Sequence, residues 1–257
     1  MQSMLDGLLD THAHFDAVDD PDAAMRGVAE AGGRAVWVCT EPEQHEHFRA
    51  RAQPAVVTVA PGFHPQAVRA GDAEGPRLAL LLSQIAGTKT PWIGEIGLDG
   101  QPQFADAWTA QVAVLDAVLE AVAASPRRRA VTLHARRAST AVLDALERHP
   151  AVLHRHAPVM HWFSGTDAEL ERATALGCWF SVNPRMVASG KRRATVRRMP
   201  RDRVLLETDA PFGGAAFAGL ADVVIALSGW WGISRAETRE QILRNQAAAV
   251  GEHPIRA

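Results

Sequence analysis

Two cysteines in 257 residues leave no room for a disulfide framework. Cys39 and Cys178 each sit inside an apolar, strand-like run, AVWVC and GCWFSV. Buried free thiols in a reducing, cytoplasmic setting are therefore expected. No apolar run approaches the ~18 residues of a membrane span, and MQSMLDGLLD lacks the basic-then-apolar pattern of a signal peptide. A membrane protein is not expected. Charge of either sign is also scarce in excess. The formal net charge is −2, so the chain as a whole offers no field for a polyanion, and contact with nucleic acid needs a local basic patch. No linker, low-complexity tract or clear repeat interrupts the chain, which is expected to form one domain over residues 1–257.

What is present is an alternation. Short apolar, β-branched runs recur: GLLD to Asp10, RAVWVCT to Thr40, AVVTVAPGFH to His64, PWIGEIGLD over 91–99, AVTLHAR over 130–136, then PVMHWFSG, GCWFSVN and RVLLETDAPF from Arg203. Several are apolar throughout, as in a parallel sheet covered on both faces. Helix signals fall between them: Asp20-Pro21 as cap and first helical residue, a long amphipathic stretch from Gln103 to Ala124, and capping boxes at Thr166/Glu169 and Ser234/Glu237. About eight strands separated by helices argue for an α/β fold, a single (β/α)8 TIM-like barrel; a doubly wound open sheet is the structural alternative.

In such barrels the chemistry gathers at the C-terminal ends of the strands. Those ends carry His12 and His14, His64, Glu95 with Asp99 just beyond, His134, His161, Asn183 and Asp209. In His12-x-His14 the period of two puts both imidazoles on one face. Imidazole nitrogen suits zinc, manganese and iron, and carboxylate suits magnesium and manganese as well. Four histidines, one glutamate and one aspartate exceed what one tetrahedral ion needs. They fit two divalent ions (Mg, Mn or Zn) sharing a carboxylate, an arrangement used for in-line displacement at phosphorus.

DTHAHFD, GFHP, IGEIGLD, LHAR, HWFSG, GCWFSVN and LLETDAPF, in that order, resemble the successive motifs of the TatD family of metal-dependent deoxyribonucleases. The wording HWFSG…GCWFSVNP further resembles the TatD-like member of the four-gene Qat anti-phage systems. The family resemblance implies that His12, His14, Glu95 and Asp209 hold one metal and that Glu95, His134 and His161 hold the second. Glu95 is then the bridge, His64 faces the substrate phosphate, and Asp209 is a ligand and proton acceptor. The chain departs from the family pattern in four places: Arg137 where an aspartate is usual, Gly100 where an aromatic is usual, Gln66 where a second histidine is frequent, and FGGAAFAGLADVV in place of a basic segment after TDAP.

Substrate contacts are expected from His64, Arg136, Arg137 and Asn183. The aromatics Trp162, Phe163 and Phe212 serve either as packing or as a base-stacking surface. The basic stretch from Arg185 to Arg203 is either a solvated helix face or a phosphate-tracking edge. Trp230 and Trp231 are expected in helix core or at an interface. The expected activity is a two-metal phosphodiesterase acting on DNA from a 3′ end, with protein partners of a defence complex possible and the oligomeric state left open. Two alternatives stand beside it. One is an amidohydrolase, whose usual bridging lysine has no counterpart because no lysine lies between Lys89 and Lys191. The other is a partner-binding subunit with weak activity alone.

Overall fold

The computed structural model describes residues 4–214 and 216–252. The first three residues of MQSMLDGLLD, Ala215 in the segment after TDAP and the last five residues of the expected 1–257 domain lie outside the described residues. The strands are β1 (Leu9–Ala13), β2 (Arg34–Val38), β3 (Val57–Ala60), β4 (Trp92–Asp99), β5 (Ala130–Arg136), β6 (Ala157–Met160), β7 (Trp179–Val182) and β8 (Val204–Leu206). The α-helices are α1 (Pro21–Glu30), α2 (Gln44–Arg51), α3 (Pro76–Gly87), α4 (Trp108–Ala124), α5 (Ser139–Arg148), α6 (Pro150–Arg155), α7 (Asp167–Ala175), α8 (Pro184–Ala188), α9 (Gly190–Arg198), α10 (Leu220–Trp231) and α11 (Arg235–Val250).

The strands form one eight-stranded parallel sheet in the order β3-β2-β1-β8-β7-β6-β5-β4. Beyond β3 the chain stays extended and reaches the strand at the other end of that order: Gly94 N donates to Pro61 O at 2.8 Å and Phe63 N to Glu95 O at 2.9 Å. These bonds return the sheet on itself, as a barrel of the TIM type requires. By density of contacts the described chain falls into two compact units, one from residues 1–37, 52–58 and 180–257 and the other from 38–51 and 59–179.

The local signals act as the sequence suggests. The Asp20 side chain accepts from Ala23 N to start α1, and both capping boxes form, at Thr166/Glu169 and Ser234/Glu237. The expected helix from Gln103 splits into a 3-10 turn over Pro102–Ala107 and α4. By length and composition alone, Pro102–Ala124 would pass for a membrane span. Here it packs on β4, α3 and α5, with Val114, Leu115, Val118, Leu119 and Val122 buried. The first strand runs later than GLLD suggests. Asp10 and Thr11 lie inside it because β8 and the turn after it satisfy them: Thr208 N and Oγ1 donate to the Asp10 carboxylate, and Thr11 Oγ1 donates to Leu206 O.

At the start of β5, the buried Arg129 donates through its guanidinium to the carbonyls of Ile85, Thr88 and Thr90 around the end of α3, and its backbone N–H goes to His156 Nδ1. That bond leaves the His156 lone pair occupied. Burial, followed by the charges of Arg155, Arg128 and Arg129, pushes the imidazole down to about 4. An unfolded chain protonates this histidine near its ordinary value of ~6.5. Its stabilising contribution is therefore complete above that pH and is lost as pH falls towards 4, by at most about 3 kcal/mol. Urea midpoints should drop between pH 7 and pH 5 for the wild type and drop less for His156→Gln, which keeps an acceptor; equal slopes would refute this account.

Candidate metal centre

In the first unit the ligand set hangs on β1 and on the turn after β8. His12 is the last but one residue of β1 and His14 follows the strand, and both are buried. His12 N donates to Asp10 Oδ1 at 3.1 Å, His14 N to Ala210 O at 2.9 Å, and Asp209 N to His12 O at 2.9 Å. This lattice aims three ligand atoms at one another. His12 Nε2 and His14 Nε2 are 3.3 Å apart, and Asp209 Oδ1 is 3.7 Å from the first and 3.5 Å from the second. Ligands about 2.1 Å from one tetrahedral ion stand roughly 3.4 Å apart. Two nitrogens and one carboxylate oxygen at these separations fit a divalent cation. Asp209 adopts φ 49, a left-handed conformation that an aspartate tolerates better than most residues.

In the second unit the centre of the set is Glu95, 1% exposed in the middle of β4. Its Oε1 lies 2.8 Å from His134 Nδ1, 3.3 Å from His64 Nε2 and 3.9 Å from His161 Nε2. His64, Glu95 and His134 form one group able to hold an ion. Gly94 and Gly97 set the carboxylate there. Both have φ 139, and a Cβ on the first would collide with the Thr132 side chain and on the second with His134 O. The motif GEIG thus brings the β4 backbone against β5 on either side of the glutamate.

The two imidazoles beside Glu95 are not equivalent. His64 Nδ1 accepts the Gln66 N–H at 3.1 Å, so in the neutral ring the proton sits on Nε2 and points to Glu95. His64 is therefore a donor, suited to an oxyanion rather than to a metal. His134 has a carboxylate oxygen at each nitrogen, Glu95 at Nδ1 and Asp99 Oδ2 at Nε2, 3.0 Å away. Burial pulls this imidazole down, but the bonds to Asp99 and Glu95 outweigh it, and its pKa is raised. A cation in place of one of those protons finds a nitrogen ligand that a carboxylate orients from behind.

Asp99 and Gln66 are the residues whose roles the sequence reading missed. Gln66 Nε2 donates to Asp99 Oδ2 at 2.7 Å, and Gln101 N and Nε2 also donate to this carboxylate. Burial raises the carboxyl, but the bonds from His134, Gln66 and Gln101 hold it well below the usual carboxylate range. Gln66, one of the four departures, is thus the link that orients both His64 and Asp99. Asp10 and Glu207 were also missed. Asp10 is buried, and desolvation raises its carboxyl to about 7 against the bonds from Thr208 and His12. The Glu207 carboxylate accepts from Ser181 Oγ and from Asn183 Nδ2. The one available signal was an acid inside an apolar run.

The remaining expectations divide. Asn183 is fully buried, with Nδ2 on Glu207 and Oδ1 accepting from Met186 N to cap α8. Both ends of its amide are engaged within the fold. Arg136 and Arg137 are exposed and make no ion pair among the described residues; Asp144 is held by Arg172 at 2.6 Å. Phe163 is core, whereas Phe212 is 55% exposed, with its ring centroid 5.5 Å from that of His14. Arg197 and Arg201 of the basic stretch stack over Trp230 and Trp231, which are half-buried and not core.

A match to the model of TatD related DNases spans residues 9–251. The chain belongs to the TatD family. It is 32% identical over 221 residues to the uncharacterized metal-dependent hydrolase YjjV of Escherichia coli, covering 81% of each chain. The crystal structure of that protein superposes with a TM-score of 0.82 over 96% of this chain and 98% of the other. The chain is also 32% identical to the 3′-5′ ssDNA/RNA exonuclease TatD of Erwinia tasmaniensis, over 75% of this chain and 74% of that one. It is 25% identical to human deoxyribonuclease TATDN3, over 80% and 78%. This TatD-family chain is accordingly a metal-dependent hydrolase built on a TIM-type barrel.

Asp99→Asn should leave the fold intact and weaken divalent-ion binding by about 10- to 100-fold, because His134 loses the carboxylate that orients it. Titration with cobalt, followed by its visible absorption, reads this directly. An unchanged affinity would remove Asp99 from the metal centre.

Proposed function

We propose that this chain is a two-metal phosphodiesterase that shortens DNA from its 3′ end. The observation that carries the reading is the pair of ligand sets, His12–His14–Asp209 and Glu95–His134–His161, at the C-terminal ends of parallel strands. The activity in the names of the Erwinia and human relatives supports the choice of substrate. His12, His14 and Asp209 would hold one divalent ion, and Glu95, His134 and His161 a second, as the family pattern implies. Bound divalent ions supply positive charge to phosphoryl oxygens and make water more acidic at neutral pH.

The side chains perform the rest. The oxygen of a water molecule bonds to phosphorus as the bond from phosphorus to the 3′ oxygen breaks; the Asp209 carboxylate takes the water's proton and returns it to the departing oxygen, which leaves as the 3′ hydroxyl of the shortened strand. His64, with its proton fixed on Nε2 by Gln66, donates to the non-bridging oxygen where charge grows. Arg136, exposed and without an ion pair, contacts phosphate. One continuous family match over residues 9–251 supports reading the chain as a single functional domain. Cys39 and Cys178, both buried and neither in a disulfide, suit a cytoplasmic setting. A place in an anti-phage complex rests on HWFSG…GCWFSVNP, and co-purification with partners that raise the activity is its test.

Metal-reconstituted enzyme should release mononucleotides from 5′-labelled single-stranded DNA and leave amides and lactones intact; the opposite pattern would return the chain to the amidohydrolase reading. Glu95→Ala should lose both ions and all measurable turnover. Asp209→Ala should keep the ion on His134 and His161, and His64→Ala should keep both while losing about 100-fold in kcat. Glu95→Ala with near-normal turnover, or with full metal content by elemental analysis, would overturn the assignment.

A further inference from the structure

Arg137 is the first residue after β5 and stands three positions beyond His134. Its φ is 53, in the left-handed region that costs an arginine about 1–2 kcal/mol and that the surroundings must enforce. The enforcing contact comes from the end of β4. Gly100 N donates to Arg136 O at 2.9 Å, and a Cβ at position 100 would collide with Arg137 O. Gly100 and Arg137 are therefore one device: the bare glycine lets the left-handed carbonyl turn inward over it.

Several arginines elsewhere in the chain have structural partners, whereas Arg136, like Arg137, makes no ion pair among the described residues. Arg77 joins Glu41, Glu43 and Asp72, and Arg172 joins Asp144 and Glu147. Arg148 binds Asp116, Arg129 binds carbonyls, and Arg197 and Arg201 stack on tryptophans. Arg137 is exposed and forms no hydrogen bond or ion pair among the described residues. The nearby carboxylate at the end of β4, Asp99, is already committed to His134, Gln66 and Gln101. A constrained backbone thus presents a cation that serves no contact within the fold, next to another exposed arginine, Arg136, on the strand that carries His134.

We propose that Arg137 is a phosphate-gripping, affinity-determining residue that holds the backbone of a single-stranded nucleic acid beside the reacting phosphodiester, and that Gly100 is what allows it to stand there. This rests on the phosphodiesterase reading and deepens it. A guanidinium fork grips a phosphate with two parallel hydrogen bonds, which a lysine cannot reproduce. A phosphate contact reads neither base nor sugar, so it suits DNA and RNA strands alike.

The test uses the full chain, a short fluorescein-labelled oligothymidylate in EDTA for binding, and the metal-loaded enzyme for turnover. Arg137→Ala should weaken binding about tenfold and reduce the log–log salt slope by about 0.7. It should raise KM with kcat and metal content unchanged, and the melting temperature should not move. Arg137→Lys should restore the salt slope but only part of the affinity. Gly100→Ala, with Arg137 present, should raise KM in the same way. An oligouridylate should lose the same factor with Arg137→Ala; a loss confined to one sugar would overturn a phosphate contact. Unchanged affinity and slope in Arg137→Ala, in an enzyme that cleaves DNA, would overturn the inference alone. A wild-type enzyme that cleaves no phosphodiester would instead overturn the reading on which it rests.

Discussion

A carboxylate taken out of water in the middle of a strand needs positive charge or hydrogen-bond donors around it, or it will not stay ionised. Glu95 is that group. It is 1% exposed, on a strand buried along its whole length, and it is surrounded by imidazoles from the ends of β3, β5 and β6. Gly94 and Gly97 let the β4 backbone approach β5 closely enough to present the carboxylate to His134. The bonds from Gly94 N to Pro61 O and from Phe63 N to Glu95 O tie the same segment to the chain that carries His64. The sheet's return on itself and the chemistry of the centre thus depend on the same few residues.

Within each unit the fold uses buried acids as spacers. Asp10 joins the start of the His-x-His run to Thr208. Glu207 joins Ser181 and Asn183, and Asp99 joins His134 to Gln66 and Gln101. Each is buried and each is satisfied by named donors, which keeps neighbouring ligands in one rotamer. The non-glycine residues with positive φ, Arg137, Trp162 and Asp209, stand just past β5, β6 and β8. Backbone strain is therefore concentrated where the strands end and the chemistry begins, whereas the starts of β5 and β6 are locked by Arg129 and His156.

Strand endings were legible because they depend on local chemistry. An apolar, β-branched run must be buried, and a parallel strand places its last residues at the functional rim. His12, His14, His64, Glu95, His134, His161 and Asp209 were candidates on that basis, although Glu95 lies in the middle of β4, and the period of two was enough to pair His12 with His14. Asn183 stands at a strand end too, and what the sequence did not reveal is that its amide is engaged by Glu207 and a helix cap. The sequence also left the basic stretch ambiguous, because the tryptophans that receive Arg197 and Arg201 lie about thirty residues further along the chain.

By itself the sequence determined the alternation of strands and helices, the helix caps and the inventory of imidazoles and carboxylates, since these follow from residue type and near-neighbour spacing. Tertiary structure alone decided which nitrogen of His64 carries its proton, that Asp99 stands behind His134, that Gln66 links the two, and that Gly100 makes room for the Arg137 carbonyl. Apart from the bond from Gln66 N to His64, which is made within one turn, each of these is a contact between residues on different strands or loops. Hydrogen-bond direction and steric allowance are set by the partner atom across the gap, and the spacing along the chain does not name that partner.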